Sequence, residues 1–248
     1  MNVPMKFLNN FSKNLKKYQT IINKYKKDGV NETETVKVIN DILSELFGYD
    51  KYNEITSEYA INHTYCDLAI KNSTKNDKIY MLIEVKGVAI TLSDRHIDQA
   101  VDYGIRANVK WVVLTNAETW KVYKIKGKKR ESVFEFNLLK LNLKDKKQLE
   151  QVYSISKSGK DKSVIEEIYS TNQINNKYVI AAILNRQETY KYIRQIIRRY
   201  LDKTVKVTEE EIENYIKNDI IRRDVIDSDE AIEAQMRVKQ KTRKATTH

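Results

Sequence analysis

The chain has 248 residues, of which 41% are hydrophobic and 32% charged, a composition typical of a folded protein with one sizeable core or a core and a smaller appendage. A single cysteine excludes an internal disulfide and a multi-cysteine zinc site, so we expect a reducing, cytoplasmic location. No apolar run approaches the roughly 18 residues that cross a membrane, and no secretory leader is recognisable, so no membrane partner is expected.

The formal net charge of +11 lies mainly in the two flanks of the chain. Residues 1–30 carry seven lysines and one aspartate, whereas residues 31–150 carry nineteen basic and eighteen acidic side chains. Residues 151–248 carry nineteen basic and fifteen acidic side chains. Basic flanks favour a polyanionic partner, with nucleic acid first and an anionic membrane surface second. A lysine-rich surface that only keeps the protein soluble is the alternative.

The first thirty residues predict an amphipathic helix that ends near Gly29. Its apolar residues recur at spacings of three and four: Leu8, Phe11, Leu15, Tyr18, Ile22 and Tyr25. Two to three heptads are too few for a stable free coiled coil. We therefore expect this helix to dock on the body of the protein or on a partner subunit.

The following segment predicts alternating helices and strands. NETETVKVINDILSELFGYD has a helical apolar face that, projected back by one turn, includes Glu32. Strands are predicted at about 54–60, 65–70 and 79–86, followed by a helix capped by Ser93. Three further strands are predicted in KWVVLTN, TWKVYKIKG and SVFEF. This order predicts an α/β fold with a mixed central β-sheet flanked by helices.

Beyond about residue 140 the sequence shows only helical periods. The predicted domains are an N-terminal amphipathic helix (1–30), an α/β core (31–140) and a helical, basic C-terminal extension (141–248). The polar segment SKSGKDKS, residues 156–163, is predicted to be a linker between the core and the C-terminal helices.

Charged residues interrupt the apolar strand LIEVKG, and their spacing suggests a site. Strand side chains alternate between faces, so Glu84 and Lys86 point to one side of the sheet. Asp67, in the preceding strand TYCDLAI, comes close to Glu84 if the two strands form a hairpin. Hard cations such as Mg²⁺ prefer carboxylate oxygens, and a nearby lysine can orient or deprotonate water and neutralise a phosphate. The pattern predicts a metal-assisted phosphate chemistry.

The set Asp67…Glu84-Val85-Lys86 resembles the signature of the PD-(D/E)xK nuclease superfamily. The proline that usually precedes the aspartate is replaced by Cys66. The segment NETETVKVINDILSELFGYD resembles the start of the nuclease domain in restriction subunits of type I restriction enzymes, although the chain has no helicase-like motor. The resemblance covers roughly residues 30–126. It implies a restriction-endonuclease-like core.

Gln99 and Tyr103 match a Gln-x-x-x-Tyr motif found in that group and in RecB-like nucleases, and they share one helical face. They are expected to position the DNA backbone. The resemblance further implies that Mg²⁺ or Mn²⁺ is held by Asp67, Glu84 and the backbone carbonyl of Val85. It also places Glu32 near the metal, as a ligand of the ion or of its water; a first-turn carboxylate that only interacts with the helix dipole is the alternative.

The implied function is a metal-dependent endonuclease that hydrolyses DNA phosphodiester bonds in restriction, phage defence or phage biology. The alternative is a DNA-binding or assembly module that keeps the nuclease fold and needs a partner for cleavage or lacks it; an RNA nuclease is a weaker third reading. DNA is the expected partner, with a homodimer or a partner subunit left open. Arg194, Arg198 and Arg199 alternate with tyrosines and are candidate nucleic-acid contacts, or the charged outer face of an ordinary helix.

Overall fold

The computed structural model describes residues 2–61, 64–73, 76–201, 203–204 and 206–245. The chain divides into two compact units, residues 1–169 and 170–248. Within the described residues, no helix combines the length and the apolar character that crossing a membrane requires.

The first unit contains a six-stranded sheet with helices on both faces. Its elements are α1 (Met5–Asp28), α2 (Glu32–Glu45), β1 (Ile55–Ile61), β2 (Thr64–Ser73), β3 (Asn76–Val85), α3 (Asp94–Arg106), β4 (Trp111–Thr115), β5 (Thr119–Lys126), β6 (Lys129–Asn137), α4 (Lys146–Ser154), α5 (Lys157–Asp161) and the first part of α6 (Val164–Ile174). The strand order in the sheet is the order in the chain, β1 to β6. Only β3 and β4 pair in parallel, with α3 as the connection between them. The predicted mixed α/β architecture is confirmed.

Helix α1 forms because its apolar residues return once per turn, and it ends at Gly29, which adopts the left-handed conformation with φ 64°. The stripe formed by Phe11, Leu15, Tyr18 and Ile22 is buried in the main core of the first unit. The predicted docking on the body of the protein is therefore what the structure shows. The apolar stripe of α1 is thus used within the first unit.

The two faces of the sheet are covered by different helices. Ile83 and Val85 of β3 pack in the main core with residues of α1 and α2. Leu82 points to the opposite face, where it clusters with Ala100 of α3 and Val112 of β4. Because strand side chains alternate, this arrangement puts the side chain of Glu84 on the face that carries α3.

The prediction of a linker at 156–163 is wrong, because this segment folds into the core of the first unit. Ser156 caps α5 by accepting a hydrogen bond from the Gly159 amide, 3.1 Å away. Lys160 is buried and donates a hydrogen bond to the carbonyl oxygen of Asn72 at 2.7 Å. A polar composition concealed the burial, since the polar groups are satisfied by backbone partners. The first unit thus continues beyond the predicted boundary at 140, to residue 169.

The second unit is entirely helical among its described residues, as predicted. After the end of α6 it contains α7 (Lys177–Leu184), α8 (Gln187–Tyr200), α9 (Glu209–Tyr215) with a π-helical turn at Ile216–Ile220, α10 (Arg223–Ile226) and α11 (Asp229–Ala245). Its largest buried cluster joins Ala181, Tyr190, Ile212 and Ile216. A smaller one packs α11 on α7. This unit has its own apolar core.

Candidate active site

Asp67 and Glu84 face each other across the hairpin of β2 and β3. The antiparallel register pairs Leu68 with Ile83, which places Asp67 directly opposite Glu84. One oxygen of Asp67, Oδ2, accepts a hydrogen bond from the Val85 amide at 2.7 Å. The predicted pairing of the two carboxylates through a hairpin is what the structure shows, and the strands also fix their orientation.

The side chain of Glu84 is buried, with only 3% of its surface exposed. Its Oε1 accepts a hydrogen bond from the Lys86 ammonium at 2.8 Å, whereas Oε2 is buried without a hydrogen-bond partner among the residues that the structure describes. Burial, and to a smaller extent the charge of Asp67, raise the pKa of Glu84 to about 7, although the hydrogen bond and charge of Lys86 lower it. A buried carboxylate oxygen without a partner is costly and calls for a cation or a donor.

The neighbouring charges have perturbed pKa values for related reasons. Burial raises the pKa of Asp67, and this effect outweighs the hydrogen bond from Val85 and the charge of Lys86. Burial disfavours the ammonium form of Lys86, but the hydrogen bond and charge of Glu84, helped by Glu32, outweigh it and raise its pKa. The arrangement therefore concentrates negative charge around a single ammonium group.

Glu32 lies in the first turn of α2, which Asn31 caps through a hydrogen bond to the Glu34 amide. Its carboxylate lies 3.8 Å from the Lys86 ammonium. Among the described residues, no three His, Cys, Asp or Glu side chains lie close enough together to hold one metal ion. The structure thus pairs Glu32 with Lys86 and does not bring it into a common ligand set with Asp67 and Glu84, because the ammonium group lies beside it.

Asp67 and Glu84 nevertheless suit a hard divalent cation. They offer two carboxylates on adjacent strands, and the unpartnered Oε2 of Glu84 is a buried acceptor. Mg²⁺ usually takes one or two protein carboxylates and completes its coordination with water and substrate oxygens. The donor set present, with the Val85 carbonyl as the predicted backbone ligand, therefore fits Mg²⁺ or Mn²⁺.

The loop that follows Lys86 is held by polar residues that the sequence pattern did not single out. The Lys86 amide bonds the Thr115 carbonyl at 2.9 Å in continuation of the parallel pairing. The Val88 amide donates to Oγ1 of Thr35 at 3.2 Å, and Asn116 donates to the Ile90 carbonyl at 2.9 Å. These contacts couple α2 and β4 to the chain beside Lys86. Threonine and asparagine in these places have no spacing signal, since their partners are distant in sequence.

Glu58 is a further residue near the site that the sequence did not indicate. The pairing of Ser57 with Leu68 and of Tyr59 with Cys66 places Glu58 opposite Asp67 on the outer side. Its φ is 50°, a left-handed conformation inside a strand, and its charge adds to the raised pKa of Asp67. Local irregularities of this kind occur next to active sites.

Gln99 and Tyr103 are brought together on α3, as predicted. The Gln99 amide donates to the Tyr103 hydroxyl at 3.0 Å. Tyr103 is half-buried against the cluster beneath α3. Among the described residues, neither side chain forms a hydrogen bond with Asp67, Glu84 or Lys86.

The three candidate arginines lie on α8 in the second unit. Arg194 is paired with Glu209 at 3.2 Å, whereas Arg198 is exposed and the Arg199 guanidinium lies over the Tyr200 ring at 5.4 Å. Tyr190 is buried and is therefore not available for stacking on a base. The contact of Arg194, Arg198 and Arg199 with nucleic acid stays a prediction.

Comparisons with known proteins find similarity between this core and restriction enzymes. Residues 31–138 match the family described as type I restriction enzyme R protein N terminus. The solved structure of the type IIG restriction endonuclease BpuSI is similar at 20% identity and a TM-score of 0.40, over 73% of this chain and 23% of that chain. A search of the curated proteins found no match. Residues 31–138 thus form a restriction-nuclease-like domain that is similar to the N terminus of type I restriction enzyme R proteins.

Proposed function

We propose that the protein is a metal-dependent endonuclease that hydrolyses DNA phosphodiester bonds, in restriction, phage defence or phage biology, in the cytoplasm of a bacterium or a phage-infected cell. The family of residues 31–138 supports a nuclease role. The observation that carries the proposal is Glu84, which is buried opposite Asp67 with one unpartnered oxygen and Lys86 at 2.8 Å. A domain that only binds DNA does not need this costly arrangement.

In this proposal Asp67, Glu84 and the Val85 carbonyl hold Mg²⁺ or Mn²⁺. The bound ion supplies Lewis-acid polarisation of the phosphate and activation of water. Lys86 is an ammonium group with a raised pKa, so it donates a hydrogen bond to a phosphate oxygen or to the attacking water and stabilises negative charge that develops during hydrolysis. Glu32 holds Lys86 or a water from the side of α2. Gln99 and Tyr103 contact the DNA backbone.

Cleavage of supercoiled plasmid tests the proposal. We expect nicking or linearisation by the wild type with Mg²⁺ or Mn²⁺ and none with EDTA. Asp67→Ala and Lys86→Ala should each lower the rate by at least about a thousandfold, because each removes a group that acts on the scissile phosphate or its metal. Lys110→Ala, an exposed lysine at the other end of the sheet, is the matched control and should cut normally.

The other outcomes have separate meanings. A well-folded wild type that binds plasmid but does not cut it would favour the DNA-binding or assembly module. Faster cleavage of RNA than of DNA would favour an RNA nuclease. Because one active site cuts one strand, accumulation of nicked plasmid indicates a monomer, and direct linearisation indicates a homodimer or a partner subunit.

A further inference from the structure

Helix α1 has a basic face whose position suggests a second role for this helix. Its buried stripe contains Phe11, Leu15, Tyr18 and Ile22. At 3.6 residues per turn, six lysines lie within about 100° of arc on the opposite side. This lysine stripe consists of Lys6, Lys13, Lys16, Lys17, Lys24 and Lys27. All six side chains are exposed.

The stripe is poorly neutralised by the protein itself. Lys17 pairs with Glu45 at 2.6 Å. The other five make no ion pair with any residue that the structure describes, and α1 has no acidic residue before Asp28. Like charges repeated along one helix repel one another and destabilise the helix. The lysine stripe therefore lowers the stability of α1 in the free protein. A polyanion would remove that repulsion.

The end of α1 and the residues that follow it lie beside two loops at the edge of the sheet that carries the candidate active site. Lys26 binds Glu118, in the turn that follows β4, at 2.5 Å. A Cβ placed on Gly87, the residue after Lys86, would lie 3.8 Å from the Val30 carbonyl oxygen. The N-terminal end is remote from this edge, because Asn10 binds the Glu45 carbonyl at the far end of α2. The lysine stripe runs along the side of α1 that is turned away from the sheet, whereas Glu84 lies on the face that carries α3.

The length of the stripe matches a repeat of duplex DNA. The stripe runs from Lys6 to Lys27, about 32 Å at 1.5 Å per residue, and one turn of B-DNA spans about 34–36 Å. Each strand winds around the axis once in this length, so a straight row of lysines meets phosphates where the two strands cross its side of the duplex.

We propose that the lysine stripe of α1 binds the phosphate backbone of duplex DNA over about one helical turn. The identity of the polyanion rests on the proposed nuclease function, whereas the existence of the binding surface rests on α1 alone. The surface carries no base-reading side chains beyond lysines, so it supplies affinity and orientation without sequence preference.

The test compares two variants of the full chain with equal loss of charge. The stripe variant carries Lys→Gln at Lys13, Lys16, Lys24 and Lys27. The control variant carries Lys→Gln at Lys110, Lys126, Lys128 and Lys129, which are exposed at the opposite end of the sheet. Binding of a fluorescein-labelled 30-base-pair duplex is measured in EDTA at several salt concentrations, with a thermal melt to confirm that both variants fold.

We expect the stripe variant to lose affinity by on the order of ten- to a hundredfold, and its slope of log affinity against log salt to fall by about 0.9 for each phosphate contact removed. The control variant should change much less. Equal losses in both variants would overturn the proposal, since only net charge would then matter. Loss of binding to phosphatidylserine vesicles with unchanged DNA binding would also overturn it, in favour of a membrane surface.

This assay separates the inference from the proposed function because it does not require cleavage. If plasmid cutting survives in Asp67→Ala and Lys86→Ala while the stripe variant loses DNA affinity, the active-site proposal fails and the stripe proposal stands. If the cleavage experiment succeeds and the stripe variant binds and cuts normally, the active-site proposal stands and the stripe proposal fails.

Discussion

At Glu84 the protein keeps a carboxylate where an apolar side chain would be more stable. Apolar residues of the strand surround it, and Lys86 satisfies only one of its oxygens. Asp67 across the hairpin adds a second negative charge at short range. Charged groups buried in this way destabilise the free protein until a ligand or a proton compensates them. Function and stability therefore oppose each other at this residue.

This opposition predicts a pH dependence of folding. The pKa of Glu84 rises from 4.5 to about 7 in the folded protein, so between these values the folded state holds a proton that the unfolded state has lost. The free energy of unfolding therefore falls as pH rises through this window, by up to about 3 kcal/mol. Glu84→Gln lacks this titration, so its stability relative to the wild type should grow from pH 5 to pH 8 in EDTA, measured by urea unfolding.

The control for this experiment is Glu118→Gln. Although burial opposes its charge, hydrogen bonds from Lys26 and Asn137 lower the pKa of Glu118. The stabilisation that its carboxylate gives the folded state is therefore fully present above the pKa of Glu118 in the unfolded chain, and it is lost only as pH falls below that value. The difference between Glu118→Gln and the wild type should be constant above pH 5. A constant difference for Glu84→Gln as well would show that Glu84 titrates normally in the folded state.

Among the elements, the short helix α5 is held by an unusually close contact. A Cβ on Gly159 would overlap the backbone carbonyl of Tyr153, at the end of α4. Only glycine allows this approach, and it lets Lys160 reach the backbone of β2. The carbonyl cannot move aside as a flexible side chain can, so α5 must shift if Gly159 is replaced.

We expect Gly159→Ala to lower the free energy of unfolding by about 1–3 kcal/mol, because of this overlap. The matched control is Ser158→Ala on the exposed side of the same helix, which should change stability by less than about 0.5 kcal/mol. Urea unfolding at pH 7 measures both. Equal effects would mean that α5 adapts to the added methyl group without cost.

The sequence predicted the elements whose side chains follow a period, and it missed those held by single polar contacts. Asp67 and Glu84 were predictable because strand alternation and a hairpin leave little choice of register. Thr35 and Asn116 were not, since each acts through one hydrogen bond to a residue distant in the chain. The burial of α5 was hidden because serine and lysine are mostly exposed in proteins, and only the tertiary structure shows the backbone partners of Lys160.

For the whole molecule, the two units have separate buried clusters. The main core and the clusters under α3 draw their buried residues from before residue 170, and the clusters of the second unit draw theirs from beyond residue 177. The predicted site residues Asp67, Glu84 and Lys86 all belong to the first unit. Folding and metal binding should therefore not require the C-terminal helices.

A fragment of residues 1–175, which ends after α6, tests this expectation. It should unfold in one cooperative transition, and Mg²⁺ should raise its melting temperature, because a ligand that binds only the folded state at a hundred times its Kd stabilises it by about 2.7 kcal/mol. The same fragment with Asp67→Ala should melt at a temperature independent of Mg²⁺. An unfolded fragment would show that the second unit is needed for the first to fold.

The strands of the sheet lie side by side in the order in which the ribosome makes them. Of the five pairings among the described strands, four are antiparallel and join strands that follow each other directly in the chain. The parallel pairing of β3 with β4 requires the connecting helix α3. Because domains fold as units from the N-terminus during synthesis, the first unit can close before the second has left the ribosome. We expect the carboxylates to be assembled on the nascent chain, so that a ribosome stalled beyond residue 200 already carries a folded metal site.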